Sequence, residues 1–224
     1  MAKQLKQLGG RVFLDAPVIF IHQSELSGLI TCETKSHQRF TAKYCICTVP
    51  TSIAARIHYD PPVPALRDQL TQRMPMGCVI KTIVTYKTAW WRELGYSGEI
   101  VSDQEPLALV YDKCSHDSKL FALVGFMAGK GARKWSQKTL EERKVAVLGQ
   151  LKRCYNSPKA DQITGYYEHD WSQEEWSRGC YLNLMTPGSM TDCAQHLRKP
   201  VGRIHWAGSE TATKWMVQPN SFSF

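Results

Sequence analysis

Across residues 12–50 apolar and polar positions alternate with a period of two in short runs, Val18-Ile19-Phe20-Ile21, Leu29-Ile30-Thr31-Cys32 and Tyr44-Cys45-Ile46-Cys47-Thr48-Val49, separated by polar turns. This pattern predicts a β-meander. Pro61-Pro62-Val63-Pro64 ends it, and Leu66, Leu70 and Arg73 predict a short helix stopped by Pro75 and Gly77, which places a domain boundary near residue 70. Residues 78–86, 107–111 and 120–128 read as further strands, with the aromatic pair Trp90-Trp91 between the first two. Thr139 and Glu142 have the spacing of a capping box, and Leu140, Val147, Leu148, Leu151 and Tyr155 recur at helical spacing, so a helix is predicted over 139–155. Tyr166-Tyr167 falls in a short strand. Residues 203–207 predict a last strand running into the turn Gly208-Ser209-Glu210-Thr211. The pattern gives an α+β class without internal repeats.

Composition narrows the picture. The 224 residues are 43% apolar and 21% charged, so the chain has the make-up of a folded globular protein and not of a disordered one. No run approaches the roughly 20 apolar residues of a bilayer-spanning helix, and Met1-Ala2-Lys3-Gln4 leads into polar sequence; a soluble-type intracellular chain is expected. The net charge of +8 raises the question of an anionic partner. Its basic residues are scattered, as at Lys130, Arg133 and Lys134, without a basic and aromatic interleave, so no nucleic-acid partner is expected. The eight cysteines contain no C-x-x-C pair, which argues against zinc and for reduced thiols.

Several residues raise chemical questions, each with a plainer answer beside it. Gly129-Lys130-Gly131 superficially mimics a dinucleotide-binding turn, but Lys134 stands where the third glycine belongs, and an ordinary turn accounts for it. Lys81 shares a strand face with Val79 and Ile83, where a buried ammonium is costly unless paired or solvated; a snorkelling lysine on an edge strand is the plain reading. Cys180 follows Arg178, whose guanidinium could favour the reactive thiolate, against the plain reading of a structural cysteine. Trp171, Trp176 and Tyr181 read equally as core or rim aromatics. The Gly208-Ser209-Glu210-Thr211 turn could offer backbone N–H groups to an anion, or simply connect a strand to a helix.

Three blocks in one order resemble the flavin-dependent monoamine oxidases: Arg73-Met74-Pro75-Met76-Gly77-Cys78-Val79-Ile80-Lys81, then Trp171 with Arg178-Gly179-Cys180-Tyr181, then Ala207-Gly208-Ser209-Glu210-Thr211-Ala212-Thr213-Lys214-Trp215. The similarity runs from Pro17-Val18 to Trp215. It implies oxidative deamination of primary amines to aldehyde, ammonia and hydrogen peroxide, with the hard chemistry done by FAD. Cys180 resembles the cysteine linked covalently to the flavin, Lys81 the lysine that holds a water against its central ring, and Trp171 the tryptophan packed beside it. Tyr181 resembles one wall of an aromatic pair around the substrate amine, so Lys81 and Tyr181 take the catalytic positions. Leu109 and Phe126 match substrate-cavity positions, and Val18, Gly208, Ser209 and Glu210 match cofactor contacts.

The same resemblance implies a partial two-domain flavoprotein. Residues 1–70 and 174–224 would be the middle and C-terminal segments of an FAD-binding domain, flanking a mixed-sheet substrate domain with helices at 71–173. It further implies amine neurotransmitter catabolism on the cytosolic face of the mitochondrial outer membrane and a homodimer. Four departures stand out. The family's N-terminal dinucleotide-binding unit and its C-terminal membrane anchor are expected to be missing, Arg178 stands where the family has glycine, and Gln218 stands where it has the second cage tyrosine. The alternative reading is a catalytically inactive fragment or paralogue that acts as a protein-binding module.

Overall fold

A computed structural model of the chain describes residues 2–212. Gln218 and the end of the third block, Thr213 to Trp215, lie outside the described residues. The chain divides into two compact units, one made of Met1–Pro75 with Asn183–Phe224 and the other of Met76–Leu182.

The first unit opens with helix α1 (Ala2–Gln7) and strands β1 (Val18–Ser24), β2 (Leu29–Thr34), β3 (Arg39–Ala42) and β4 (Cys45–Cys47), followed by α2 (Thr51–Ala54), β5 (His58–Asp60) and α3 (Ala65–Gln72). β1, β2 and β3 pair antiparallel, as a meander does, and β5 adds to the other edge of β1 in parallel. The expected meander does not extend to the run at 44–49. β4 leaves that sheet and pairs in parallel with a strand from the far end of the chain, which suits its nearly unbroken apolar sequence better than a one-sided hairpin strand would. The α3 helix forms where Leu66 and Leu70 predict it. Its Arg67 is buried, stacks 3.7 Å from the Trp206 ring centroid and donates to the carbonyls of His196 and Leu197, and desolvation lowers its pKa to about 10.

The second unit is a five-stranded sheet in the order β10-β6-β9-β8-β7, built from β6 (Val79–Tyr86), β7 (Ile100–Val101), β8 (Leu109–Asp112), β9 (Phe121–Ala128) and β10 (Gly165–Asp170). Its helices are α4 (Trp90–Glu93), α5 (Gly129–Trp135) and α6 (Leu140–Tyr155). The α+β class holds. The mixed pairing expected of this sheet does not: all its pairings among the described residues are antiparallel, because neighbouring strands here return without a parallel crossover. α6 starts at the predicted capping box, where the Thr139 hydroxyl accepts from Glu142 N and the Glu142 carboxylate accepts from Thr139 N.

Alternation along the strands decides which face of this sheet is core. Ile80, Val84, Leu123, Met127 and Val110 point to one face and pack with Val147 and Leu151 of α6. Gly125 lies on that face because Thr82 Oγ1 and the Leu107 methyls stand 2.8–2.9 Å from where a Cβ would sit. Gln150 of α6 is buried against the lead-in to β8, accepting from Leu107 N and donating to the Leu107 and Gln104 carbonyls. Tyr86, Trp90, Trp91 and Tyr155 close one end of the core with edge-on ring contacts.

After Leu182 the chain returns to the first unit with α7 (Ser189–Cys193) and β11 (Ile204–Trp206), the partner of β4. Ile21, Ile30, Cys47, Ala54, Ile57, Ile204 and Trp206 form the core of this unit.

Candidate functional site

The second unit brings most of the chemistry-bearing residues together on the sheet face opposite α6. Register does this. Leu109 of β8 pairs directly with Phe126 of β9, Phe126 with Lys81 of β6, and Lys81 with His169 of β10, so four side chains on four adjacent strands form one row. The Lys81 Nζ lies 5.9 Å from the Phe126 ring centroid. Tyr181 leans on the same ring at 6.0 Å and Tyr111, two residues from Leu109 on the same face, at 6.3 Å.

Lys81 is not on an edge strand, as its plain reading supposed. β6 has β10 on one side and β9 on the other, and Lys81 reaches solvent from the less covered face of a central strand. Among the described residues no carboxylate forms an ion pair with it.

Cys180 and Tyr181 are held by a short contact between two backbone segments at the root of β6. Gly77 N donates to Leu182 O at 3.0 Å, and Cys180 N donates to Gly77 O at 2.9 Å. The backbones approach so closely that a Cβ on Gly179, whose φ is +147°, would collide with the Gly77 carbonyl oxygen and lie 2.7 Å from Met76 Cβ. The Cys180–Tyr181 peptide is cis. Arg178 has φ +54°, the left-handed region in which glycine is unstrained.

The Cys180 thiol is not biased towards thiolate by Arg178. Burial pushes its pKa up, and the charge that opposes the rise is that of Lys81. Tyr181 is pushed up to about 12 by burial and then by Cys180 and Tyr111, which keeps it a neutral phenol at physiological pH. Trp171 lies at the end of β10 in a single 3-10 turn, where Asp170 Oδ1 caps Ser172 N, and its ring meets His169 edge-on at 4.7 Å.

The remaining candidates belong to the first unit. Val18 is half-buried at the start of β1 and packs on the cluster that contains Trp206. Gly208 follows β11 with φ +133°, and Ser209, Glu210 and Thr211 form one 3-10 turn. The Glu210 carboxylate accepts from Asn183 N at 2.8 Å, and the Thr211 hydroxyl donates to Gly208 O.

Two residues of this face, one beside the row and one in it, escaped the sequence reading. Tyr111 could have been found from the alternation that sets it beside Leu109, whereas His169 becomes a neighbour of Lys81 only through the pairing of β10 with β6. Among the described residues no His, Cys, Asp and Glu cluster could hold a metal, and no helix is long and apolar enough to cross a membrane.

Comparisons with known proteins agree with one another. A family model described as flavin containing amine oxidoreductase matches residues 1–217. A probable flavin-containing monoamine oxidase A of Dictyostelium discoideum is 47% identical over 212 residues, 94% of this chain and 46% of that protein. The flavin-containing amine oxidase B of Bos taurus is 40% identical over 93% of this chain and 40% of its own length. Among solved structures, wild-type putrescine oxidase bound to putrescine superposes with a TM-score of 0.89 at 35% identity, covering 96% of this chain and 47% of that one. Cyclohexylamine oxidase from Brevibacterium oxydans gives 0.85 at 31%, covering 91% and 44%. The chain thus spans less than half the length of each of these relatives.

Proposed function

Since this chain belongs to the flavin-containing amine oxidoreductase family, we propose that the protein is an FAD-dependent amine oxidase that converts primary amines to aldehyde, ammonia and hydrogen peroxide. The observation that supports this most directly is the row Leu109, Phe126 and Lys81 with Tyr181 against it: two aromatic faces and an apolar wall beside an ammonium that has no carboxylate partner among the described residues.

The residues present suit a flavin. An unpaired, half-buried ammonium calls for a neutral polar acceptor, and the Cys180 thiol lies within its field. Cys180 would hold the cofactor covalently, with Trp171 and Lys81 beside it, and Val18, Gly208, Ser209 and Glu210 as further cofactor contacts. When bound, the flavin supplies the two-electron acceptor that no side chain provides.

The chain's own residues account for the rest. A Lys81 ammonium donates hydrogen bonds and accepts none, so it suits holding a water oxygen or another acceptor. Neutral Tyr181 and Phe126 offer π faces to a cationic or neutral amine without forming an ion pair that would trap it. Leu109 and Tyr111 line the same face and set the width available to the substrate. The attachment of a homodimer to the cytosolic face of the mitochondrial outer membrane, with amine neurotransmitters as substrates, rests on the family resemblance alone.

The test is acid precipitation of purified holoprotein alongside a peroxide-coupled assay with arylalkyl and aliphatic amines. Flavin should stay with the pellet and move to the supernatant in Cys180→Ser, and Lys81→Met, which removes the donor that positions the water, should lower kcat by about 10²-fold, the scale of a misplaced group beside the reacting atoms. Flavin released from wild-type protein by acid would remove the covalent role of Cys180, and absence of turnover with every amine would favour the protein-binding alternative.

A further inference from the structure

In the first unit Cys32 of β2 and Cys45 of β4 come from strands of two different sheets, yet their Sγ atoms are 3.8 Å apart in hydrogen-bonding contact. No other pair of the eight thiols makes such a contact among the described residues. Both side chains pack on the edge of the core formed by Ile21, Ile30, Cys47 and Trp206, and both remain only half-buried, so a small oxidant reaches them.

We propose that Cys32 and Cys45 are a redox modification site, a dithiol that hydrogen peroxide converts to a disulfide. The Cys32 Sγ attacks one peroxide oxygen, the O–O bond breaks, and hydroxide leaves to become water, giving a sulfenic acid at Cys32. The Cys45 Sγ then attacks the Cys32 sulfur, the S–O bond breaks, and the departing hydroxide takes the Cys45 proton as a second water. Two thiols lose two hydrogens and two electrons, and the peroxide is reduced to two waters. Closing the pair requires the two sulfurs to move from 3.8 Å to about 2 Å apart.

Electrostatics assign the two roles. The contact between the two thiols lowers the pKa of Cys32 and, together with burial, pushes that of Cys45 up. Cys32 is the attacking sulfur and Cys45 the resolving one. Cys47, two residues on, is buried and pushed up by desolvation, so it is not the first to react.

The inference does not depend on the flavin chemistry, because peroxide is added from outside. The test uses the full chain carrying Cys154→Ser, which removes the exposed thiol. After brief treatment with sub-millimolar hydrogen peroxide and alkylation, a tryptic digest is mapped without reduction. The expected product joins the peptide of residues 12–35 to that of residues 44–56, lighter by two hydrogens than the pair and split by dithiothreitol. Two thiols should be lost from the titration. The cross-link should persist in Cys47→Ser and vanish in Cys32→Ser and Cys45→Ser. A digest in which Cys32 stays free, is oxidised beyond the sulfenic state while Cys45 stays free, or is bypassed by a Cys45–Cys47 bond would overturn the proposal, and the mapping of protein with all three thiols decides it even if a variant fails to fold.

Discussion

Replacing Gly179 by alanine should loosen the segment that carries Cys180 and Tyr181 while leaving the rest of the second unit folded. At φ +147° an L-residue is strained by about 1–3 kcal/mol. The added methyl would also strike the Gly77 carbonyl and the Met76 side chain, so the two backbones must separate. Separation removes the Cys180 N to Gly77 O and Gly77 N to Leu182 O hydrogen bonds, at about 0.5–1.5 kcal/mol each. Together these terms lower the free energy of local opening by about 2–6 kcal/mol, and at about 1.4 kcal/mol per tenfold the Cys180 amide should exchange with solvent deuterium at least roughly 30-fold faster. Hydrogen exchange read by mass spectrometry on the 177–182 peptide, with a β9 peptide as internal reference, is the assay. Gly131→Ala is the control: the nearest heavy atom to its added methyl is Glu105 Oε1 at 3.9 Å, the site is helical, and the change should stabilise by about 0.5–1 kcal/mol without touching Cys180 exchange. Equal exchange at Cys180 in wild type and Gly179→Ala would refute the account of how this segment is held.

Gln150→Leu removes the amide that serves Leu107 N, Leu107 O and Gln104 O and leaves buried backbone groups unpaired, so urea denaturation followed by tryptophan fluorescence should show a loss of about 2–5 kcal/mol; a loss below about 1 kcal/mol would mean that water or a rearranged loop replaces the amide. Asp112 is opposed by burial, yet hydrogen bonds from Arg92, the Cys114 backbone and Trp91 outweigh it and hold its carboxyl below the usual range. Its folded pKa is depressed, so its contribution is present above the unfolded value near 4 and is lost as pH falls below that value towards the folded one. Denaturation curves at pH 6 and pH 3 should therefore differ less for Asp112→Asn than for wild type, and parallel curves for the two proteins would refute the assignment.

What the sequence made legible was local. The Thr139 and Glu142 capping box and the apolar spacing after it located α6 to within a residue, since both signals lie inside the helix they announce. The period of two put Lys81 on a strand face with Val79 and Ile83, which the structure bears out, but could not say that β6 is flanked on both sides, because that depends on β9 and β10 more than 40 and 80 positions later. The parallel partner of Cys45-Ile46-Cys47 was beyond reach for the same reason: β11 lies at the other end of the chain. Proximity along the chain also misled. Arg178 is two residues from Cys180, yet the charge that acts on that thiol is on Lys81, brought near by folding. Tyr181, Phe126 and Leu109 came from the resemblance, and the structure places them in one cluster that pattern alone had left as unrelated aromatics and aliphatics.

The succession of Gly125 and Phe126 along β9 has a consequence for how this protein can change over generations. Position 125 points at Thr82 and Leu107 and has no spare room, so almost any replacement there disturbs the core. Position 126 points the other way, into the space it shares with Leu109, Tyr111 and Tyr181, and its neighbours there are half-buried or exposed side chains and not packed backbone. Inheritance of the scaffold and drift of the chemistry are therefore separated by the alternation of the strand itself. Descendants can sample new side chains at 109, 111 and 126, and with them new shapes of that space, at little cost to folding, while residues 107 and 125 stay unchanged and keep the core side of the sheet packed.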